Sequence, residues 1–247
     1  MRYFLIVCAI IFSFSFSSFS YTLYWFTGAG IKKPAQKIAA LYNETHKNRV
    51  VVIAGGSGQV LNEMIEAKKG DIYTLVDSIF LKKAQTHGIV VKYKKFLKLT
   101  PVFVVSKSKE KKLKNFYDLA KNGVKIAGGN PKAMSLGKAF NEIMKKLPKE
   151  LSDKMNRNIK VRCLNVFQIV GYVKKGSVDA GIVLDKALIA KTGLRYLNIP
   201  KQYNVNRYGY LTLVSYSKHK KEALELFNFI WKHRDVYLKY GFEVVNK

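Results

Sequence analysis

Thr22-Leu23-Tyr24-Trp25-Phe26-Thr27-Gly28-Ala29-Gly30-Ile31 decides the fold, because a β-rich run here passes through a glycine turn toward a helix. The helix is predicted over residues 34–46, and its first residue is a proline, which suits that position. Ile38, Leu41 and Tyr42 recur within it at three- and four-residue spacing, which is typical of a buried helix face. The stretch therefore predicts a βα unit, the building block of a parallel sheet.

The alternation of short β-rich runs with helical patterns continues along the chain and predicts an α/β protein with mainly parallel sheets. No internal repeat interrupts it. The predicted strands are 22–26, 50–53, 71–75, 102–106, 125–127, 160–163, 179–184 and 210–215, and the predicted helices are 34–46, 59–68, 135–147, 166–175, 220–231 and 233–240.

The order of these elements predicts two lobes. A basic loop over residues 107–114 follows the strand near position 102, and the βα pattern then restarts from Asn115 as if a second sheet began. A strand-like run just before the closing helices indicates a return to the first lobe. We therefore expect lobe 1 at 21–101 plus 208–247 and lobe 2 at 102–207, with crossovers near Pro101 and Arg207.

The first twenty residues have the pattern of a secretory signal peptide. Arg2 precedes an apolar run over residues 3–12, and Ser18-Phe19-Ser20 ends the segment with a small-x-small pattern. The apolar run is too short for a membrane span, which needs about 20 residues. We expect residues 1–20 to be a signal peptide and the mature protein to be periplasmic or extracytoplasmic.

Composition restricts the possible partners. The 48% hydrophobic content excludes a disordered chain, and 44 Lys+Arg against 16 Asp+Glu give a net charge of +28. This balance attracts nucleic acid, anionic membranes or small anions. The charge is spread along the whole chain and does not interleave with aromatic residues, so no nucleic-acid partner is expected. Cys163 is the one cysteine beyond the leader, which excludes a disulfide scaffold and a cysteine-based metal site.

Three glycine-rich turns between a strand and a helix carry the candidate chemistry: Gly28 to Ile31, Gly55 to Gly58, and Gly128 to Pro131. Backbone N–H groups at a helix N-terminus favour an anion, and Ser57 adds a hydroxyl donor to the second turn. Any one such turn is more often an ordinary tight turn. Three of them in a two-lobed chain favour a ligand cleft. None spells G-x-G-x-x-G, and no P-loop is present, so a dinucleotide or nucleotide site is disfavoured.

Five stretches follow one another in the order seen in periplasmic molybdate-binding proteins: Trp25 to Pro34, Gly55 to Gly58, Lys69 to Tyr73, Gly129 to Pro131 followed by Gly137, and Asp179 to Val183. Over its mature length the chain resembles the substrate-binding component of molybdate/tungstate ABC transporters, a type 2 periplasmic binding protein. The resemblance implies a Venus-flytrap fold of two α/β lobes that hold a tetrahedral oxyanion with neutral donors. It also implies delivery to a membrane ABC permease.

The resemblance implies ligand contacts that carry over residue by residue. The hydroxyl and N–H of Ser57 are the main expected donors, followed by backbone N–H groups near Ser135. Two hydroxyls of the family pattern are missing, because Gly30 stands for a serine and Leu184 for a tyrosine. The full candidate set is Gly28, Ala29, Gly30, Ile31, Ser57, Gly58, Ser135, Leu136, Val166 and Asp185.

Asp185 has two interpretations. It is either a carboxylate at the cleft or the N-cap of the helix that starts there. No cofactor is expected, and the bound ligand is molybdate or tungstate, whose own metal is the single metal expected in the site. The four histidines are dispersed without ligand spacing, which disfavours a protein metal centre. We expect a monomer.

The leading hypothesis is therefore an exported protein that captures molybdate or tungstate, with sulfate, phosphate or another small anion as alternatives. A basic surface-interaction protein and a secreted enzyme are the competing classes. The sequence offers no nucleophile–base pair and no paired carboxylates, so no enzymatic activity is expected. The segments Gly28 to Ile31, Gly55 to Gly58 and Ser135 to Leu136 contain no carboxylate and offer mainly donors. Phosphate, which keeps a proton, is therefore expected to be rejected unless Asp185 faces the cleft.

Overall fold

The computed structural model describes residues 21–190 and 192–245. The predicted signal peptide lies outside these residues. The strands are β1 (Thr22–Gly28), β2 (Arg49–Gly55), β3 (Ile72–Val76), β4 (Val90–Leu99), β5 (Val102–Val105), β6 (Ile126–Gly129), β7 (Ile159–Cys163), β8 (Ala180–Val183), β9 (Tyr196–Asn198), β10 (Arg207–Val214) and β11 (Glu243–Val244). The α-helices are α1 (Lys32–Thr45), α2 (Ser57–Ala67), α3 (Ser78–Thr86), α4 (Ser135–Lys146), α5 (Lys149–Asn158), α6 (Val166–Lys174) and α7 (Lys220–Lys232). Single 3-10 turns or short 3-10 helices occur at Ala29–Ile31, Lys107–Lys109, Phe116–Ala120, Lys186–Leu188 and Arg234–Tyr240.

The first sheet has the strand order β11-β4-β10-β3-β1-β2. Strands β2, β1 and β3 are parallel to one another, since α1 and α2 provide the crossover connections that parallel pairing needs. Strand β10 pairs antiparallel with both β3 and β4, and β11 pairs antiparallel with β4. The parallel part of this sheet ends at the turns that follow β1 and β2.

The second sheet repeats this plan with the order β7-β6-β8-β5-β9. Strands β7, β6 and β8 are parallel, and β5 is antiparallel to β8 and β9. The expected parallel pairing therefore holds for three strands in each sheet, and both sheets are mixed as a whole. Apart from β11, the strands that break the parallel pattern are β4, β5, β9 and β10, which lie next to the crossovers where the chain enters or leaves a sheet.

Two crossovers join the sheets. The chain passes from β4 to β5 through Thr100 and Pro101, and it returns from β9 to β10 through residues 199–206. Strands of the first sheet fall within 22–99 and 207–244, and those of the second within 102–198. We call the two sheets with their helices the first and second lobe. The lobe limits given from the sequence remain a prediction.

Apolar side chains cover both faces of the first sheet. Leu23 and Trp25 of β1 point to the face covered by α1 and α7, whereas Phe26 belongs to the cluster under α2 and α3. This alternation follows from the two-residue period of a strand, and a parallel sheet must be buried on both faces. A separate apolar cluster fills the second lobe around Phe103 and Phe140.

Strands β4, β9 and β11 and helices α3 and α5 were missed from the sequence. Two of them, β4 and α5, have a weak apolar pattern. In β4, lysines interrupt the apolar alternation, and in α5 only Met155 and Asn158 are buried. The ammonium groups of Lys92, Lys94 and Lys95 in β4 lie over aromatic rings of the first lobe, with Lys94 Nζ 4.0 Å from the Trp231 ring centroid. The predicted helix at 233–240 is a 3-10 helix over Arg234–Tyr240.

Two helical glycines provide a matched test of packing. A Cβ on Gly137 in α4 would overlap the backbone of Asn130 and Pro131, whereas a Cβ on Gly171 in α6 would meet nothing. We expect Gly137→Ala to lower the free energy of unfolding by about 1–3 kcal/mol because the overlap forces the backbone to shift. Gly171→Ala should raise it by about 0.5–1 kcal/mol, since alanine loses less entropy in a helix. Urea unfolding of both variants measures the two effects, and equal shifts would contradict this packing.

Candidate functional site

A cavity of about 40 Å³ lies between the two lobes. We call it the cleft cavity. The first lobe contributes the turns that follow β1 and β2, and the second lobe contributes the starts of α4 and α6. The lining residues are Gly28, Ala29, Gly30, Ile31, Gly55, Gly56, Ser57, Val76 and Leu99 from the first lobe, and Met134, Ser135, Leu136, Asn165, Val166, Leu184 and Leu188 from the second.

Most of the residues that the sequence singled out come together at this cavity. Its lining includes Gly28, Ala29, Gly30, Ile31, Ser57, Ser135, Leu136 and Val166. Gly58 and Asp185 do not belong to the lining. A Cβ on Gly58 would lie 2.9 Å from Phe80 Cε1, so this glycine allows α2 to pack closely on α3. The contacts of these residues with a ligand remain a prediction.

Three helix starts leave backbone donors at the cavity. Helix α2 begins at Ser57 after Gly56, α4 begins at Ser135 after Met134, and in neither does the N-cap residue supply a side-chain hydrogen bond. The 3-10 turn at Ala29–Ile31 also has no side-chain cap. The first N–H groups of a helix have no partner within the helix, and the helix dipole is positive there. The cavity is therefore bordered by unpaired donors from both lobes.

Glycines let the two lobes approach each other. A Cβ on Gly56 would lie 3.1 Å from the carbonyl oxygen of Ala133 in the second lobe. A Cβ on Gly30 would lie 3.3 Å from Leu188 Cδ2. The leucine thus occupies the space beside Gly30, where the family pattern has a serine. This contact gives a steric reason for one of the two departures from that pattern.

The lining is mainly apolar and carries no charged side chain among the described residues. Its polar side chains are Ser57, Ser135 and Asn165. Asn165 is engaged as the N-cap of α6, because its Oδ1 accepts a hydrogen bond from Gln168 N at 3.0 Å. The site thus offers neutral donors in apolar surroundings, where a hydrogen bond to an anion is stronger than in water.

One buried hydrogen bond fixes the backbone at Ser57, and two more join the neighbouring strands β1 and β3. The Ser57 carbonyl oxygen accepts a bond from the Tyr73 hydroxyl at 2.8 Å, and burial raises the pKa of that hydroxyl far above its usual range. Beside it, Trp25 Nε1 donates to Thr74 Oγ1 at 2.9 Å, and Thr74 donates to Thr27 Oγ1 at 2.7 Å. These bonds fix the strand ends beneath the turns, so the donors above them are pre-positioned.

Asp77 is a neighbour of the site that the sequence analysis missed. It follows β3 directly, and its Oδ2 accepts a hydrogen bond from Ser135 Oγ of the second lobe at 2.8 Å. Its Oδ1 accepts a bond from Ile79 N at 3.1 Å and so caps α3. An aspartate between a strand and a helix usually indicates a cap, and nothing local distinguishes one that also reaches another lobe.

Asp185 has the capping role, the second of its two interpretations. Its Oδ1 accepts a hydrogen bond from Ala187 N at 2.9 Å, and its Oδ2 accepts one from Thr100 N at 3.0 Å. Burial raises the pKa of this carboxyl above its usual range. The expectation that Asp185 acts as a ligand is therefore not supported, because both of its oxygens bind backbone N–H groups at the first crossover.

A metal site, a reactive cysteine or a membrane-spanning helix would each indicate a different function. Residues 21–190 and 192–245 contain no group of three or more His, Cys, Asp and Glu placed to hold a metal ion. Cys163 is a buried free cysteine, and burial raises the pKa of its thiol. None of the described helices combines the length and the apolar character needed to cross a membrane.

Comparison with known proteins agrees with this architecture. The model of the family of bacterial extracellular solute-binding proteins matches residues 23–243. A protein of Haemophilus influenzae that is named as a binding protein is 32% identical over 218 residues, which are 87% of each chain. Both matches are described as binding proteins.

Two solved structures share the fold. The periplasmic molybdate-binding protein of Azotobacter vinelandii matches with a TM-score of 0.76 and 19% identity, over 91% of this chain and 100% of that one. The sulfate-binding protein SubI of Mycobacterium tuberculosis matches with a TM-score of 0.80 and 15% identity, over 91% and 87% of the two chains. The predicted α/β class and two-lobed periplasmic binding-protein fold are thereby confirmed. With residues 23–243 matched, the chain belongs to the family of bacterial extracellular solute-binding proteins.

Proposed function

We propose that the protein binds a small tetrahedral oxyanion in the cleft cavity and delivers it to a membrane ABC permease. The observation that carries this proposal is that uncapped helix starts from both lobes border one cavity without a charged side chain in its described lining. Backbone N–H groups and the Ser57 hydroxyl can surround such an anion. We further propose that the protein is exported by residues 1–20 and acts outside the cytoplasm as a monomer.

Molybdate or tungstate is the favoured ligand. At neutral pH both anions carry no proton and only accept hydrogen bonds, which fits a ring of donors. The order of motifs and the molybdate-binding neighbour support the same choice. The sulfate-binding neighbour supports the nearest alternative, a smaller anion of the same charge. Leu188 fills the space beside Gly30, so the missing serine hydroxyl does not by itself enlarge the cavity.

One contact favours hydrogen phosphate as a second candidate. The Ser135 hydroxyl gives its hydrogen to Asp77, so the lone pairs of Ser135 Oγ are left to accept a hydrogen bond. Phosphate keeps a proton near neutral pH, and a buried donor without an acceptor is costly. From the sequence we expect phosphate to be rejected, because no acceptor for the phosphate proton is evident. Ser135 Oγ is such an acceptor in the lining.

A thermal-shift panel separates these ligands. Molybdate and tungstate should raise the melting temperature most, because an anion at 100 times its Kd stabilises the native state by about 2.7 kcal/mol. Sulfate should have a smaller effect. Phosphate should give no shift if the lining offers its proton no acceptor, and a shift if Ser135 Oγ accepts that proton. A shift that persists at high salt indicates the closed cavity, whereas attraction to the basic surface would fade. A shift for phosphate alone would establish the second candidate, and no shift for any oxyanion would contradict the proposal.

Ser57→Ala tests the main side-chain donor. A hydrogen bond to a charged group contributes roughly 1.5–3 kcal/mol, so the variant should bind the anion about tenfold to a hundredfold more weakly. Titration calorimetry with molybdate measures the change. Ser78→Ala is the matched control, because Ser78 is also the first residue of a helix, α3, and lies outside the lining of the cavity. Equal affinities of the two variants would mean that Ser57 only shapes its turn.

A further inference from the structure

Asp77 has a backbone conformation that aspartate rarely adopts. Its φ is 95° and its ψ is 127°, in a region populated almost entirely by glycine, and its side chain is 5% exposed. Its N–H donates to the Tyr208 carbonyl oxygen in β10 at 2.9 Å. Such a conformation persists only where surrounding contacts determine it, and it is typical of ligand clamps and switch regions.

The carboxylate of Asp77 joins three parts of the molecule. It caps α3 in its own lobe, it accepts the Ser135 hydroxyl of the second lobe at 2.8 Å, and its Oδ2 forms an ion pair with Arg207 Nε at 3.0 Å. Arg207 is the first residue of β10, at the second crossover. The carboxylate therefore lies where the two lobes and the crossover meet.

Arg207 extends this set of contacts to the second lobe. Its Nη2 lies 2.7 Å from Oε1 of Glu142, which is seven residues after Ser135 in α4. Residues seven apart lie on the same face of a helix, so one face of α4 is attached to the first lobe at two points, through Asp77 and through Arg207 of β10. The first of these points is the start of α4, whose N–H groups border the cleft cavity.

We propose that Asp77 is a positioning residue that holds the start of α4 over the cleft cavity and so sets the rate at which the bound anion leaves. The inference rests on the proposed function, since it assumes an anion between the lobes. Separation of the lobes must break the bond from Ser135 to Asp77 and the ion pair from Arg207 to Glu142. The ion pair between Asp77 and Arg207 joins β3 to β10 within the first sheet and remains, which keeps the carboxylate paired when water enters.

This arrangement predicts a kinetic effect. Ser135 and Leu136 can donate backbone hydrogen bonds to an anion that also contacts Ser57 only while α4 lies against the first lobe. If α4 lies against the first lobe for a smaller fraction of the time, the apparent Kd of the anion rises in inverse proportion to that fraction. Association begins from the open form, so the loss should appear mainly as faster dissociation.

Asp77→Gly is the principal test, because glycine relieves the positive φ while it removes the carboxylate. We expect the molybdate dissociation rate, measured by stopped-flow dilution, to rise roughly tenfold, the loss expected for one hydrogen bond to a charged group. Glu142→Gln should give a smaller increase. Asp118→Asn is the control: Asp118 is also a buried helix-capping carboxylate, but it lies in the second lobe at Phe116–Ala120 and outside the cavity lining. It should lower the melting temperature and leave dissociation unchanged.

Small-angle scattering provides a readout that does not need a ligand. Asp77→Gly should have a larger radius of gyration than the wild type in molybdate-free buffer, and Asp118→Asn should not. Unchanged dissociation and an unchanged radius in Asp77→Gly would overturn the inference. If the wild type binds no molybdate, the proposed molybdate site fails on its own, and the radius of Asp77→Gly alone decides whether Asp77 holds the lobes together.

Discussion

The structure depends on one constraint: helix starts from two lobes must meet at a common cavity without filling it. Gly56 allows the turn before α2 to approach the carbonyl oxygen of Ala133, and Gly137 allows α4 to lie against the turn at Asn130. A side chain at either position would push the helix start away from the cavity. These glycines are thus important because they have no side chain. The donors at the cavity are backbone groups, and the sheets from which the turns leave fix their positions.

The net charge acts on anions at long range, and the neutral groups of the cleft cavity act on them at short range. The net charge of +28 produces a field that attracts anions from solution, which speeds encounter and is screened by salt. The described lining of the cleft cavity contains no lysine or arginine, so the field does not determine which anion fits. Selection depends on neutral donors and acceptors at short range, where each unsatisfied group is costly.

Two buried aspartates illustrate how similar sequence positions take different roles. Asp77 and Asp185 each follow a strand and cap a helix. Asp185 uses its second oxygen for Thr100 at the first crossover, whereas Asp77 uses its second oxygen for Ser135 across the lobes. Both carboxylates therefore tie the crossovers to the lobes, but only the contact of Asp77 reaches a residue that lines the cavity.

The sequence by itself determined the βα units and the glycine turns, and it selected Ser57 and the start of α4 as candidate ligand contacts, which remain a prediction. These features depend on residues within a few positions of one another, through side-chain periodicity and turn chemistry. Only the tertiary structure decided that the sheets are mixed, that β4 is a strand despite its lysines, and that Leu188 lies beside Gly30. The same holds for the bond between Asp77 and Ser135, which are 58 positions apart in the chain. Such a contact depends on how two separately folded lobes face each other, and no local pattern encodes that relation.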